Sequence, residues 1–289
     1  ALDCQFQLLE LPHRVGARPG EHTSSKQPLP LVKVVDLRQE LKEGNRSIFS
    51  RALSQAMAYS IQAGEQVMLY LNRRGSGSLV QCRDCGHTLR CLRCDLPLTY
   101  HAQLGILLCH QCNYRLTSPR ACPQCRGSRI RYLGLGTERV IEDVQQAFPG
   151  VKSIRWDRDS ASPRGAHENF MESFIRGEAQ VLVGTQMIAK GLHFPNVTLV
   201  GVLCADIGLF LPDFRAGERV FQLLCQVAGR TGRGPLGGQV IIQTYSPRHY
   251  AVAAASAQDY MGFYQKEMRY REEQGLPPFG RLIRLMYLH

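Results

Sequence analysis

Residues 66–94 read QVMLYLNRRGSGSLVQCRDCGHTLRCLRC. The opening QVMLYLN is an apolar run with the length and composition of a strand buried on both faces. Two C-x-x-C pairs follow it, and two more complete the set by Cys125. A buried strand running into a cysteine cluster predicts an α/β domain interrupted by a metal-binding module. The segments on either side support this. Upstream, LVKVVDLR reads as a short strand. SRALSQAMAYSIQAGEQ reads as a helix capped by Ser50, with Leu53, Met57 and Ile61 on one face and Gly64 as its stop.

Downstream, RIRYLGL reads as the strand with which the α/β rhythm resumes. TERVIEDVQQAF is a helix with Thr137 as N-cap and Pro149-Gly150 as stop. The strand KSIRW, a helix across 166–176, the strands AQVLVGT and VTLVGVLCAD, a helix over about 216–229 and the strand GQVIIQTY follow. This alternation predicts a parallel sheet with helices on both faces. AAASAQDYMGFYQKEMRYREEQ reads as one long helix, and LPPFGRLIRLMYL ends in a strand. The implied division is a lead-in or linker at 1–45, a lobe at 46–80, an inserted module at 81–127, the rest of the lobe at 128–250, and the incomplete start of an α+β domain at 251–289.

The 289 residues, 44% hydrophobic and 20% charged, have the composition of a folded globular chain. The longest apolar run, VTLVGVLCA, is far short of the roughly 20 residues a membrane-spanning helix needs. ALDCQFQLLELPHR lacks the features of a secretory signal and an initiator Met. A cytoplasmic location, no membrane partner and a start inside a longer protein are expected. Net charge is +11, carried by 29 Arg and only 6 Lys. The planar guanidinium fork suits phosphate, so nucleic acid or nucleotide is the expected partner.

Of eleven cysteines, Cys4, Cys204 and Cys225 are scattered and eight are clustered. The spacing is C-x2-C-x5-C-x2-C-x14-C-x2-C-x9-C-x2-C. A two-residue gap lets one tight turn present both sulfurs to a tetrahedral ion, and Gly86 and Asn113 suit the positive φ of such turns. Eight thiols fill two Cys4 zinc sites, which leaves His87, His101 and His110 as surface residues. Three pairings of the knuckles are open. A β-hairpin in DLPLTYHAQLGILL, turning near Gln103 to Gly105, favours a nested scheme over a cross-braced one. In it Cys91, Cys94, Cys109 and Cys112 hold one zinc, and Cys82, Cys85, Cys122 and Cys125 hold the other. Residues 81–131 hold eight Arg and two Asp, a formal +6, which eight thiolates and two Zn²⁺ reduce to about +2.

QVAGRTGRG at 226–234 places Gln226 ahead of Arg230 and Arg233. Two arginines three apart near a helix end share one side, where they can stabilise charge on a transferring phosphate. Gly184, Thr185 and Gln186 directly follow a buried strand, at the edge where open α/β sheets bind ligands. Lys190 and Gly191 extend that loop towards a nucleotide or a nucleic-acid backbone.

G-T-Q-M-x-A-K-G followed by Q-V-A-G-R-x-G-R looks like motifs V and VI of superfamily 2 DNA helicases. With LNRRG, the four knuckles, LPDFRAGER and LPPF, the chain resembles the bacterial primosomal protein N′ (PriA) family of replication-restart helicases, from about VVDLRQELKEGNRSIFS onward. The resemblance implies a RecA-like helicase lobe carrying a zinc-ribbon-like insert. It implies that Arg230 and Arg233 are arginine fingers and that Gln226 touches phosphate. Gly184, Thr185, Gln186, Gly191, Asp213, Phe214, Arg215 and Gly229 would line the ATP site, and Arg73, Arg74, Thr185 and Lys190 would meet DNA. It further implies ATP-dependent 3′→5′ unwinding of forked and single-stranded DNA by a monomer at replication forks in the nucleoid, with single-stranded DNA-binding protein and primosome proteins as partners.

No lysine here follows a glycine and no D-E-x-H box occurs. The phosphate loop and most Mg²⁺ ligands for ATP are therefore expected from a preceding lobe, and this stretch alone should be inactive. The alternative is a non-catalytic DNA-binding zinc scaffold for primosome assembly.

Overall fold

The computed structural model describes residues 30–71, 78–93, 97–101, 104–109, 112–133, 136–157, 166–185, 194–209, 211, 213–231 and 237–283. In chain order, strand β1 (Leu31–Asp36) leads to helices α1 (Leu37–Lys42) and α2 (Arg51–Gln62) and strand β2 (Gln66–Tyr70). Five short strands follow: β3 (Ser78–Cys82), β4 (Thr99–His101), β5 (Ile106–Leu108), β6 (Arg115–Thr117) and β7 (Ile130–Leu133). Then come α3 (Thr137–Ala147), β8 (Ser153–Trp156), α4 (Ala166–Ile175), β9 (Val181–Gly184) and β10 (Val197–Val202). The chain continues through α5 (Asp206–Leu209), α6 (Ala216–Ala228), β11 (Gln239–Thr244), α7 (Tyr250–Ala257) and α8 (Tyr260–Glu273).

Six strands form one sheet in the order β1-β11-β10-β2-β9-β8, every pair parallel. Each residue of β2, β9 and β10 is buried, as central strands covered on both faces must be. One face packs Met68, Leu182, Val200, Phe221 and Leu224, and the other Leu53, Met57, Val67, Val140 and Ile241. Ser50 caps α2 by accepting the Leu53 N–H at 3.2 Å, and Gly64 ends the helix at φ 73°. Helix α2 lies so close to β10 that a Cβ on Gly201 would be 2.8 Å from Leu53 Cδ1 and 2.9 Å from Leu69 Cδ2. Only glycine admits that approach without repacking the core.

Several boundaries differ from those the sequence suggests. β1 pairs with β11 over its whole length, so the lobe includes residues assigned to the lead-in. RIRYL does not resume the parallel sheet: β7 pairs antiparallel with β3 and closes a second sheet, β6-β5-β4-β3-β7. The module therefore runs from 78 to 133, around a small core of Val80, Leu89, Leu98 and Leu107. Four residues, IRYL, are too few for a periodicity that would reveal the partner strand. Thr137 is the first residue of α3 and not its cap, which is Gly136; its hydroxyl instead donates to the Asp157 carboxylate after β8.

The long C-terminal helix is two helices. Gln258 ends α7 in the left-handed region (φ 54°), and the Asp259 carboxylate restarts the chain by accepting the Gly262 N–H at 2.8 Å. Both pack on the lobe: Ala251, Val252, Ala255 and Phe263 join its core, with Phe263 stacked on Phe221 at 4.0 Å. Residues 281–283 form no strand, and 284–289 lie outside the described residues.

Because all six strands point one way, the sheet has a carboxyl edge and an amino edge. β2 enters the module from the carboxyl edge, and the chain returns at the start of α3, where Thr137 meets Asp157 just past β8. The insertion thus occupies one connection at that edge. None of the described helices is long and apolar enough to cross a membrane.

Candidate functional site

The outer cysteines converge. Cys82 Sγ is 3.6 Å from Cys125 Sγ and Cys85 Sγ is 3.7 Å from Cys122 Sγ, with all four within 4.8 Å of one another. In the inner group Cys91, Cys109 and Cys112 converge likewise, with Cys91 and Cys112 sulfurs 3.5 Å apart. A tetrahedron with zinc–sulfur bonds of about 2.3 Å has edges of about 3.8 Å, whereas a disulfide would be about 2.05 Å. The hairpin that favours nesting is present: β4 pairs with β5 as Thr99↔Leu108, Tyr100↔Leu107 and His101↔Ile106.

Three knuckles share one backbone design. In each, the N–H four residues after the first cysteine donates to that cysteine's carbonyl: Gly86 to Cys82, Asn113 to Cys109 and Arg126 to Cys122, all at 2.9 Å. The donor residue has positive φ every time, at 77°, 57° and 60°. Each first cysteine's own N–H then donates five residues ahead, to His87, Tyr114 and Gly127. The turn aims both sulfurs inward, and the Asp84 and Arg93 N–H groups each lie 3.4 Å from the sulfur of the cysteine two residues back.

Burial, together with the neighbouring sulfurs, pushes the Cys85 thiol up to about 12, while the Gly127 N–H draws Cys125 below its ordinary value. Four sulfurs this close cannot all be thiolates without a compensating cation. A tetrahedral dication provides that charge, so the donor set fits zinc.

The described nucleotide candidates are divided between the two edges of the large sheet, and Thr185, the described nucleic-acid candidate, lies on the carboxyl edge. Thr185 is the first residue past β9, buried at the carboxyl edge, and the Gly184 carbonyl accepts the Leu71 N–H at 2.9 Å. Helix α5 sits on that edge too, where the Asp206 carboxylate accepts the Thr244 hydroxyl at 2.8 Å and the Tyr245 N–H at 2.9 Å. Asp213, Phe214 and Arg215 follow and open α6. Burial alone would raise the Asp213 carboxyl. The Arg215 N–H at 2.9 Å and the guanidinium groups of Arg215 and Arg219 outweigh it and hold the pKa below the usual range. The Phe214 ring lies between the guanidinium groups of Arg215 and Arg271, at 5.2 and 5.1 Å.

Gln226, Gly229 and Arg230 stand at the far end of α6, whose 13 residues span about 20 Å. The Thr231 hydroxyl donates to the Thr198 carbonyl at 3.1 Å, near the start of β10, and ties that end to the amino edge. The ATP candidates therefore do not form one cluster. Gly184, Thr185, Asp213, Phe214 and Arg215 lie at the carboxyl edge, apart from Gln226, Gly229 and Arg230, because a helix joining parallel strands must run back across the sheet. The segment after Thr185 makes the same crossing, since the Asn196 carbonyl accepts the Gln66 N–H at the amino edge.

Arg73, Arg74, Cys94, Gln186, Lys190, Gly191 and Arg233 lie outside the described residues. Sequence reasoning missed the left-handed turn at Arg126, although its place after a C-x-x-C pair, equivalent to Gly86 and Asn113, was a usable signal. It also missed Arg271, which holds Phe214 from 57 positions away and left no local signal.

Residues 91–116 match the PriA DNA helicase Cys-rich region (CRR) domain, and residues 146–235 match the helicase conserved C-terminal domain. The chain is 47% identical over 284 residues to the replication restart protein PriA of Bacillus subtilis, covering 98% of this chain and 34% of that protein. Identity to the PriA of Synechocystis sp. is 46% over 290 residues, covering 99% and 34%, and to that of Chlamydia muridarum 45% over 260 residues, covering 89% and 34%. The chain spans about a third of the length of these curated relatives. Over the residues it spans, this chain belongs to the PriA family of replication restart proteins.

Proposed function

We propose that the chain supplies the second RecA-like lobe and the zinc module of an ATP-dependent 3′→5′ DNA helicase that acts on forked and single-stranded DNA in replication restart. The observation that carries this is the division of the two edges. Gln226 and Arg230 serve the amino edge, where a guanidinium group reaches the phosphates of ATP held by a neighbouring lobe; Arg233 is assigned the same task. That lobe supplies most of the Mg²⁺ ligands. The arginines' task is to stabilise negative charge on the phosphoryl group in transfer.

The carboxyl edge, with Thr185 and the connections of the module, serves DNA, and Lys190, Arg73 and Arg74 are assigned to the same partner. The segment from Thr185 to Asn196 begins on one edge and ends on the other, so a shift at the nucleotide side has a covalent route to the DNA side. Two zinc ions are assigned, one to Cys82, Cys85, Cys122 and Cys125 and one to Cys91, Cys94, Cys109 and Cys112. The protein works in the cytoplasm as a monomer, at forks in the nucleoid, where single-stranded DNA-binding protein and primosome proteins meet it.

In the full-length protein, Arg230→Ala and Arg233→Ala should each lower DNA-stimulated ATP hydrolysis by about a thousandfold while leaving DNA affinity unchanged. Wild-type turnover in both variants would overturn the assignment.

A further inference from the structure

One packing contact and two electrostatic interactions join the zinc module to the carboxyl edge beyond its two covalent connections. Arg83 lies inside the outer knuckle, between Cys82 and Cys85, and its guanidinium is close enough to the phenol of Tyr245, just past β11, for its charge to act on it. Tyr245 is itself fixed: it is buried beside Leu37 and Cys204, and its N–H is held by the Asp206 carboxylate. Burial pushes its phenol up to about 12, so it stays a neutral acceptor through the physiological range.

The second contact is Gly86. Arg38 is gripped by Asp36 at the end of β1 through Nε at 2.9 Å and Nη2 at 2.7 Å, and its side-chain carbons press on this glycine. A Cβ at 86 would collide with Arg38 Cγ and Cδ. A third interaction is electrostatic: the charge of Arg90, in the module, acts on His249 at the start of α7. The ends of β1 and β11 and the start of α7 thus each interact with the module, Arg38 by packing and Tyr245 and His249 through charge.

We propose that Arg83 and Arg38 are positioning residues that dock the outer zinc knuckle on the carboxyl edge, making the module and the lobe one mechanical unit. A module held only by its two connections would transmit little of the lobe's movement to whatever it touches. One clamped through the turn that carries the zinc ligands moves with β1 and β11. The clamp also acts in reverse, because the lobe side holds the knuckle in its metal-binding shape.

The test uses the full-length, zinc-loaded protein with Tyr245→Phe, Arg38→Ala, Arg83→Ala, and Arg83→Ala combined with Tyr245→Phe. Each should purify with its zinc complement intact. Chelator-driven zinc release should be about three- to tenfold faster in Tyr245→Phe and Arg38→Ala, although neither position is a zinc ligand, and the double variant should be no worse than the weaker single one. Unwinding should fall at least about tenfold while DNA-stimulated ATP hydrolysis stays within about twofold. Arg83→Lys, which keeps a donor, should recover part of both effects. Unchanged zinc release in the lobe variants, or additive effects in the double variant, would overturn the docking. The unwinding arm rests on the helicase reading. Zinc release needs neither ATP nor DNA, so a wild-type protein that fails to unwind refutes that reading alone.

Discussion

His249 is held neutral by its surroundings. Burial, then the charge of Arg90, lowers its pKa from 6.5 to about 4, and its Nδ1 caps α7 by accepting the Ala251 N–H at 3.2 Å. Protonation would remove that acceptor. Because the folded pKa lies below the unfolded one, the unfolded chain binds the extra proton first. The contribution is complete above about pH 6.5 and is lost as pH falls towards 4, amounting to about 3 kcal/mol. Denaturant midpoints at pH 7 and pH 4.5 should show this loss in the wild type. They should show most of it abolished in His249→Asn, which can keep a cap but does not titrate. At this scale the sequence was partly legible. Gly86 and Asn113 announced their positive φ, but Gly86 is glycine for a second reason, Arg38, which lies 48 positions earlier and leaves no mark on the local pattern.

Elements were legible where period and punctuation agreed. Ser50, the Leu53/Met57 stripe and Gly64 define α2 locally, and the all-apolar strands announce a doubly covered sheet. They failed where a long-range partner decides. β7 belongs to the module because β3 lies beside it, and the C-terminal helix breaks where Asp259 can cap a new start. Helix α8 is then bolted to α6 through a charge. Arg271, 11% exposed at its side chain, bonds Glu267 and Glu218 at 2.8 and 2.7 Å, and Glu267 also accepts the Tyr250 hydroxyl. Arg271→Ala would leave the buried Glu267 without its cation, so a loss of about 3 kcal/mol is expected in urea unfolding. Arg176 pairs with Glu172 and Glu178 in the open, at 59% exposure, and its alanine variant should cost under about 1 kcal/mol. Equal losses at both positions would show that burial does not set the strength of these pairs.

For the whole molecule, the zinc pairing was legible because a hairpin between the second and third knuckles leaves nesting as the direct closure. The division of the described ATP candidates between two edges was not, since it depends on which way each crossover runs. The same architecture separates two cores. Among the described residues the module buries six in its cluster, two of them the candidate ligands Cys91 and Cys109, whereas the faces of the large sheet bury 23 and 14. A core that small does not outweigh chain entropy without its metal, but the lobe's does. Chelation of zinc should therefore unfold 78–133 and leave the sheet standing. The chain reports on this itself: its single tryptophan, Trp156, is buried in the lobe, and the module has none. After chelation, amide exchange in 78–133 should rise to unfolded rates while Trp156 emission keeps its native wavelength and its cooperative urea transition. A red shift of Trp156 on chelation alone would mean that the lobe cannot fold without the module, and that the two cores are one.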